Sequence, residues 1–201
     1  MGQGGYVFCE WDSVQKEFPD FQKAFAELEA RIIERCDADW APKTCGFLSP
    51  GPNQYVRTSI LPALFRGWAA AAPYPQLAHW RQYIGSSGHQ PLLMGAGTGN
   101  VIPEDFKVAW IGLAFPNKRL NITELKWQIS DGKFIRVDIE ELMSYNKPAV
   151  VFEKGYILNE EEAFELYGYV EHADYQRIVM LGACYARTVD RVLGNCGAAI
   201  S

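Results

Sequence analysis

The chain has 201 residues, 48% of them hydrophobic and 21% charged, with a formal net charge of −5. That balance excludes a disordered polyelectrolyte and supplies enough apolar material for one domain, or one domain with a helical annex, to bury a sizeable core. No Lys/Arg cluster exceeds the dipeptide Lys118-Arg119. Direct sequence-specific binding of nucleic acid is therefore not expected, since phosphate neutralisation needs a basic stripe.

The chain opens with MGQGGYVFCEWDS, which lacks the basic and apolar regions of a signal peptide. No apolar run approaches the ~20 residues of a membrane span. Tyr6, Phe8 and Trp11 are aromatics without an evident core partner and are candidate anchors for a neighbouring subunit. From Asp20 to Cys36, the residues Phe21, Phe25, Leu28, Ile32 and Cys36 fall on one stripe. That is the period of an amphipathic helix, with Asp20 as its cap. Such a stripe docks on a sandwich or on a neighbouring subunit, so Phe21 and Phe25 join the candidate interface. Pro42 to Asn53 reads as loop, with two shorter helices expected over Ser59–Ala71 and Pro75–Ile84.

Gly95-Ala96-Gly97-Thr98-Gly99-Asn100 is a phosphate cradle in outline alone. The dinucleotide fingerprint needs a strand before it, a helix after it and an acidic residue ~20 positions on. Val101-Ile102-Pro103 follows instead, and Pro103 opposes a helix start. The glycines read as a flexible or interface-seeking loop, and no cofactor is expected.

Beyond Phe106 the pattern changes. Six apolar runs, FKVAWIGLAF, ITELKWQI, KFIRVDI, PAVVFEKGYIL, AFELYGYV and QRIVMLGACYA, follow one another between turn residues. Together they predict a mainly β protein with an α-helical N-terminal part. The β portion, residues ~101–190, is an antiparallel β-sandwich (jelly-roll-like) or barrel. Residues 1–105 read as a helical arm with Gly/Pro-rich loops packed on the core, and 106–201 as the sandwich, in one structural unit. The turn Ser130-Asp131-Gly132 tests the register. A two-residue Asp-Gly hairpin would mix the faces of both strands. A three-residue loop with Gly132 left-handed places Leu125 opposite Val137 and Trp127 opposite Ile135, leaving Glu124, Lys126 and Gln128 to share the other face with Arg136 and Asp138.

Candidate chemistry is sparse. The five cysteines, Cys9, Cys36, Cys45, Cys184 and Cys196, show no CxxC or Cys/His ligand spacing, so no metal site is expected and reduced thiols are the default. A Cys36–Cys45 bridge is the exception to consider. Glu171, His172 and Asp174 form the best polar cluster, at a turn between strands; two or three such groups do not by themselves make a metal or acid–base site.

These features favour a self-assembling structural protein without catalytic activity, of the viral capsid or coat type, whose partners are copies of itself. Its location would be the virion, or otherwise the cytoplasm. The alternatives are a carbohydrate-type binding module using Trp68, Trp80 or Trp110 as stacking platforms, and a small β-barrel enzyme using His172 and Asp174.

Overall fold

A computed structural model describes residues 6–9, 19–40, 55–68, 76–116, 120–140, 142 and 149–187. The strands are β1 (Tyr6–Cys9), β2 (Tyr55–Thr58), β3 (Phe65–Arg66), β4 (Arg81–Ile84), β5 (Gly88–Gly95), β6 (Phe106–Ala114), β7 (Ile122–Ile129), β8 (Ile135–Asp138), β9 (Ala149–Leu158), β10 (Phe164–Val170), β11 (Asp174–Arg177) and β12 (Val179–Arg187); one helix, α1, spans Pro19–Asp39. Sheet A has the order β1-β9-β6-β12-β2, sheet B the order β3-β5-β10-β7-β8, and β4 pairs with β11 as a separate ribbon. Every pairing is antiparallel.

The pairings are nested. Strand β7 pairs with β8, β6 with β9, β5 with β10, β4 with β11 and β2 with β12. The chain thus forms one long double ribbon that starts at the β7–β8 turn and alternates between the two sheets as it winds outward. That is jelly-roll connectivity, a sandwich of two sheets rather than a closed barrel. It begins well before residue 101, because β2 and β5 are members of the two sheets.

The core explains why the apolar runs form strands. Between the sheets, Trp110, Trp127, Phe152 and Phe164 interlock with Tyr156. Trp110 meets Trp127 edge-on at 5.5 Å and Phe152 at 4.8 Å, the geometry that aromatic quadrupoles favour. The Trp110 indole N–H donates to the Gly112 carbonyl at 2.7 Å, so the buried ring leaves no donor unmet. A second apolar layer lies on the far side of sheet A, where Leu28, Ile32, Cys36 and Trp40 of α1 and the following turn pack on Ala109, Ile111, Ala149, Val151, Leu181 and Ala183. Small residues at 109, 149 and 183 let the helix sit close. Strand β6 is buried on both faces, which is why its sequence is an unbroken apolar run instead of an alternation.

A buried ammonium fixes the helix end. Lys107, 1% exposed, reaches Asp39 at 2.7 Å and Glu160 at 3.6 Å and lies over the Trp40 ring. Trp40 Nε1 in turn donates to Glu160 Oε1 at 2.8 Å, and the other Glu160 oxygen accepts the Asp105 amide at 3.1 Å. One carboxylate therefore ties α1, β6 and the β9–β10 turn together.

Several expectations need correction. The β7–β8 register has Leu125 opposite Val137 and Trp127 opposite Ile135, as the apolar faces require. The left-handed residue of the turn, however, is Ser130 (φ 49°), with the Gly132 amide closing onto the Ile129 carbonyl. The helix starts at Pro19, so Asp20 lies inside its first turn; proline suits that position because its missing N–H has no partner there. The two short helices are not formed over the described residues. Pro62–Leu64 is a single 3₁₀ turn leading into β3, and Arg81–Ile84 is strand β4. Apolar spacing over so short a run fits a helix and a strand alike, and pairing with β5 and β11 decides it. The sixth run divides at Ile178 into β11 and β12.

Removing the partners of Lys107 should cost more than removing Lys107 itself, because an unpaired buried ammonium has no compensating charge. The double variant Asp39→Asn/Glu160→Gln is expected to lose about 3 kcal/mol in urea unfolding and Lys107→Met clearly less; the reverse order would show that the pair does not hold the helix. Gly182 has φ +140°, and a Cβ there would lie 1.9 Å from the Ala109 carbonyl oxygen. Gly182→Ala should therefore lower stability by about 3 kcal/mol, measured the same way.

Candidate functional site

The structure places the sequence-predicted residues in three settings. Tyr6 and Phe8 belong to β1, opposite Phe152 and Val150 of β9 at the edge of sheet A. Trp11 and the side chain of Phe21 lie outside the described residues. Phe25 packs half-buried on the layer beneath α1, so its ring serves the chain's own core.

The polar cluster does not converge on a site. Glu171 and His172 are exposed in the β10–β11 turn. The His172 carbonyl accepts a hydrogen bond from Asn121 Nδ2, and the Asp174 carboxylate accepts the Tyr175 amide. Among the described residues, no group of three or more His, Cys, Asp or Glu side chains is placed to hold a metal ion. Trp110 is fully buried, and Trp68 and Trp80 pack on the core, with Trp68 Nε1 donating to Gln90 Oε1 at 3.0 Å. None of the three offers a free ring face as open as those of the exposed tyrosines.

The glycine loop is fastened. Arg66 donates from Nε to the Ala96 carbonyl at 2.8 Å and from Nη2 to the Gly97 carbonyl, and Gly97 N donates to the Val101 carbonyl. A Cβ at Gly95 would lie 2.3 Å from the Asn100 carbonyl oxygen, so glycine is needed for a tight turn there. Arg66 occupies the Ala96 and Gly97 carbonyls, and the amides of the same two residues donate to the Leu64 and Val101 carbonyls, so this end of the loop is fastened on both its donors and its acceptors.

Cys36 and Cys184 are free, buried thiols. Burial pushes both from the ordinary 9.0 up to about 12, in Cys36 against the opposing pull of Lys107. Burial also raises the Tyr185 phenol to about 12, helped by the Glu29 charge and the hydrogen bond its hydroxyl donates to Glu29. Activated nucleophiles show the opposite shift.

Two surface features remain. The first is the outward face of the β4–β11 ribbon, where the double ribbon crosses from sheet B to sheet A. Its register sets Tyr83 opposite Tyr175 and Arg81 opposite Arg177. The tyrosines are 48% and 53% exposed with ring centroids 5.0 Å apart, and the Arg81 guanidinium lies 4.3 Å from the Tyr175 ring centre. Gln82, Ile84 and Gln176 on the other face are buried and hold the ribbon to the body, with Gln82 donating to the Leu92 carbonyl at 2.7 Å. The second is a cavity of about 390 Å³ on the outer face of sheet B, lined by Thr123, Glu124, Arg136, Asp138, Glu140 and Tyr169. Tyr169, Glu124 and Asp138 stand in one row across β10, β7 and β8. Glu124 Oε1 is buried there without a hydrogen-bond partner.

Sequence reasoning put Glu124, Arg136 and Asp138 on one face but missed the ribbon. Its signal was present in the alternation of RQYI and DYQR, the first absorbed into an expected helix and the second divided between the turn at Asp174 and the start of the sixth run.

The fold and these surfaces define the chain as a jelly-roll sandwich clad on one face by a helix. No family model matches it, and no curated protein or solved structure is detectably similar to it. Among the described residues, no helix is long and apolar enough to cross a membrane.

Two outcomes follow from the buried thiols. Iodoacetamide at mildly alkaline pH should spare Cys36 and Cys184 in the folded chain and modify both once it is unfolded; labelling of either in the native state would contradict their burial. Because the unfolded chain ionises these groups first, their contribution to stability is complete below pH 9 and should fall as pH rises from about 9 toward 12, read as a declining urea midpoint.

Proposed function

We propose that this protein is a self-assembling structural subunit, of the viral capsid or coat type, working by association and not by catalysis. The observation that carries this reading is the nested strand pairing of a jelly roll, an architecture used for capsid walls as well as for lectins and cupins. Fold alone does not decide among those uses; the surfaces favour assembly. Sheet A is sealed on its outer face by α1. The ribbon at the side presents exposed tyrosines with arginines, residue types enriched at interface cores. Strand β1 forms one edge of sheet A, and an edge strand lends itself to exchange between neighbours. Apolar burial would drive association, and the acidic residues that give the chain its charge of −5 would keep free subunits dispersed. The location that goes with this reading is the virion.

A second reading, a carbohydrate-type module, draws on the outer face of sheet B, where Tyr169 stacks edge-on with His89 and Phe134 with Tyr167. It predicts a stable monomer whose tyrosine or tryptophan emission shifts on addition of sugar.

Light scattering with negative-stain imaging of the same sample separates the two. Rings, filaments or shells far above the 22.6 kDa chain mass are expected; a monodisperse monomer across salt and concentration would overturn the assembly reading. Deleting residues 1–12, which removes β1, should abolish assembly while circular dichroism keeps its β signature. Assembly that survives the deletion would remove the N-terminal strand from the mechanism.

A further inference from the structure

We infer that the outer edge of strand β2 pairs, antiparallel and about a two-fold axis at Val56, with β2 of a second copy of this chain. The inference rests on the self-assembly proposed above and names one of its contacts.

Strand β2 ends one side of sheet A, and among the described residues it pairs with β12 alone. The direction of its other backbone groups follows from β12. The Arg187 amide donates to the Asp105 carbonyl at 2.8 Å, on the side of β6. Successive residues of an antiparallel ladder turn their N–H and C=O to opposite sides. Tyr185 and Arg187 therefore bond toward β6, and Cys184 and Ala186 toward β2, where they meet Thr58 and Val56. Tyr55 and Arg57 are left with N–H and C=O pointing away from the sheet, a template for another strand.

The edges of sheet B are guarded where this one is open. Beside β3, Arg66 bridges to Gln76 and the Leu77 amide donates to the Phe65 carbonyl at 2.9 Å, so that edge is covered. Strand β8 carries exposed charges at Arg136 and Asp138, which discourage pairing. In β2 the one charged residue, Arg57, is drawn back to Glu29 of α1 at 2.6 Å. Val56, between the two outward-directed residues, is 49% exposed. It lies opposite Ala186, on the side of the sheet where Cys184 enters the core between the sheets.

This edge is complementary to itself. In an antiparallel pair centred on Val56, Tyr55 of each copy exchanges N–H···O bonds with Arg57 of the other, and every outward donor and acceptor of the two residues is met. The two Val56 side chains meet at the axis as a non-hydrogen-bonded pair, the arrangement that brings opposed side chains closest. On the α1 side, each Arg57 comes beside the Tyr55 ring of the other copy, a cation against an aromatic. Centring the pair on Arg57 instead would set two guanidiniums directly opposite, at a cost. The contact is isologous. It joins two five-stranded sheets into one continuous sheet with a β1 strand at each end, so growth beyond the pair is left to the β1 edges.

Charges placed at the axis test this on the full chain. Val56→Lys and Val56→Glu each alter an exposed edge residue, and both variants should keep the β circular dichroism of the parent. Each sets like charges against each other across the two-fold, whereas a mixed pair sets opposite charges. In sedimentation velocity over a concentration series, each variant alone should need about tenfold or more protein to associate to the same extent, and an equimolar mixture of the two should recover association. In the parent, hydrogen exchange at the Tyr55 and Arg57 amides should slow as concentration rises, while the Val56 and Thr58 amides, bonded within the sheet, stay protected throughout. Two variants that associate like the parent, or Tyr55 and Arg57 amides that exchange at one rate while the parent associates, would overturn this contact and leave self-assembly in place. Loss in both variants without recovery on mixing would overturn the two-fold pairing at Val56. A parent chain that stays monomeric at every concentration would overturn the assembly reading and this contact with it.

Discussion

The architecture depends on the chain doubling back once, at the turn of residues 129–132, and pairing with itself outward from there. Every later pair inherits its alignment from the one inside it, so the register set by Leu125 against Val137 and Trp127 against Ile135 propagates through both sheets. A slip of one residue at that turn would turn Trp127 out of the aromatic cluster and bring Lys126 in. The cluster of Trp110, Trp127, Phe152, Tyr156 and Phe164 draws on four strands of the two sheets, so the cost of that slip would be felt in each of them. Bulges at Leu181/Gly182 and between Trp110 and Gly112 then absorb the curvature needed to wrap the ribbon.

Sheet A bears a second constraint, since it must bury both faces. Its inner face carries large aromatics, and its outer face mixes the small Ala109, Ala149 and Ala183 with Ile111, Val151 and Leu181 beneath α1. Lys107 is the exception on that outer face, a charge retained where an apolar residue would pack. Its partners come from the helix end and from the β9–β10 turn, so the ion pair fixes where the helix lies along the sheet as well as that it lies there. Packing of small side chains alone specifies such a position poorly, and one directional interaction supplies it.

How much of this was legible depends on residue type. The six apolar runs from Phe106 on were readable as strands because they are long and bounded by turn residues, although the last of them divides into two, and the helix because Leu28, Ile32 and Cys36 keep its period. The strands before residue 105 were not. In RQYI just two inward positions, Gln82 and Ile84, are buried, one of them polar; β5 interrupts its pattern with Pro91 and a shift of register. Gly132 drew the left-handed role because glycine pays least for it, yet Ser130 takes it, held by the bond from its amide to the Ala163 carbonyl. The acidic cavity was half visible: shared faces put Glu124, Arg136 and Asp138 together, whereas Tyr169 and Glu140 join them through strand neighbours and a chain reversal that no local pattern encodes.

Strand β12 is the last of the described strands in the chain, yet it occupies an interior place in sheet A, between β6 and β2. During synthesis β2, β6 and α1 all leave the ribosome before the strand that joins β6 to β2 exists. Contacts between β2 and β12 span most of the chain, so closing the sheet is a non-local and slow event. Until it happens, one flank of β6 and the only described partner edge of β2 stay open, on the sheet whose outer face α1 is meant to cover. A nascent chain of this kind is exposed to wrong pairing with its neighbours for as long as it is incomplete. The strand arrangement thus makes the timing of release, and the crowding of other chains being made nearby, part of what determines the yield of folded protein.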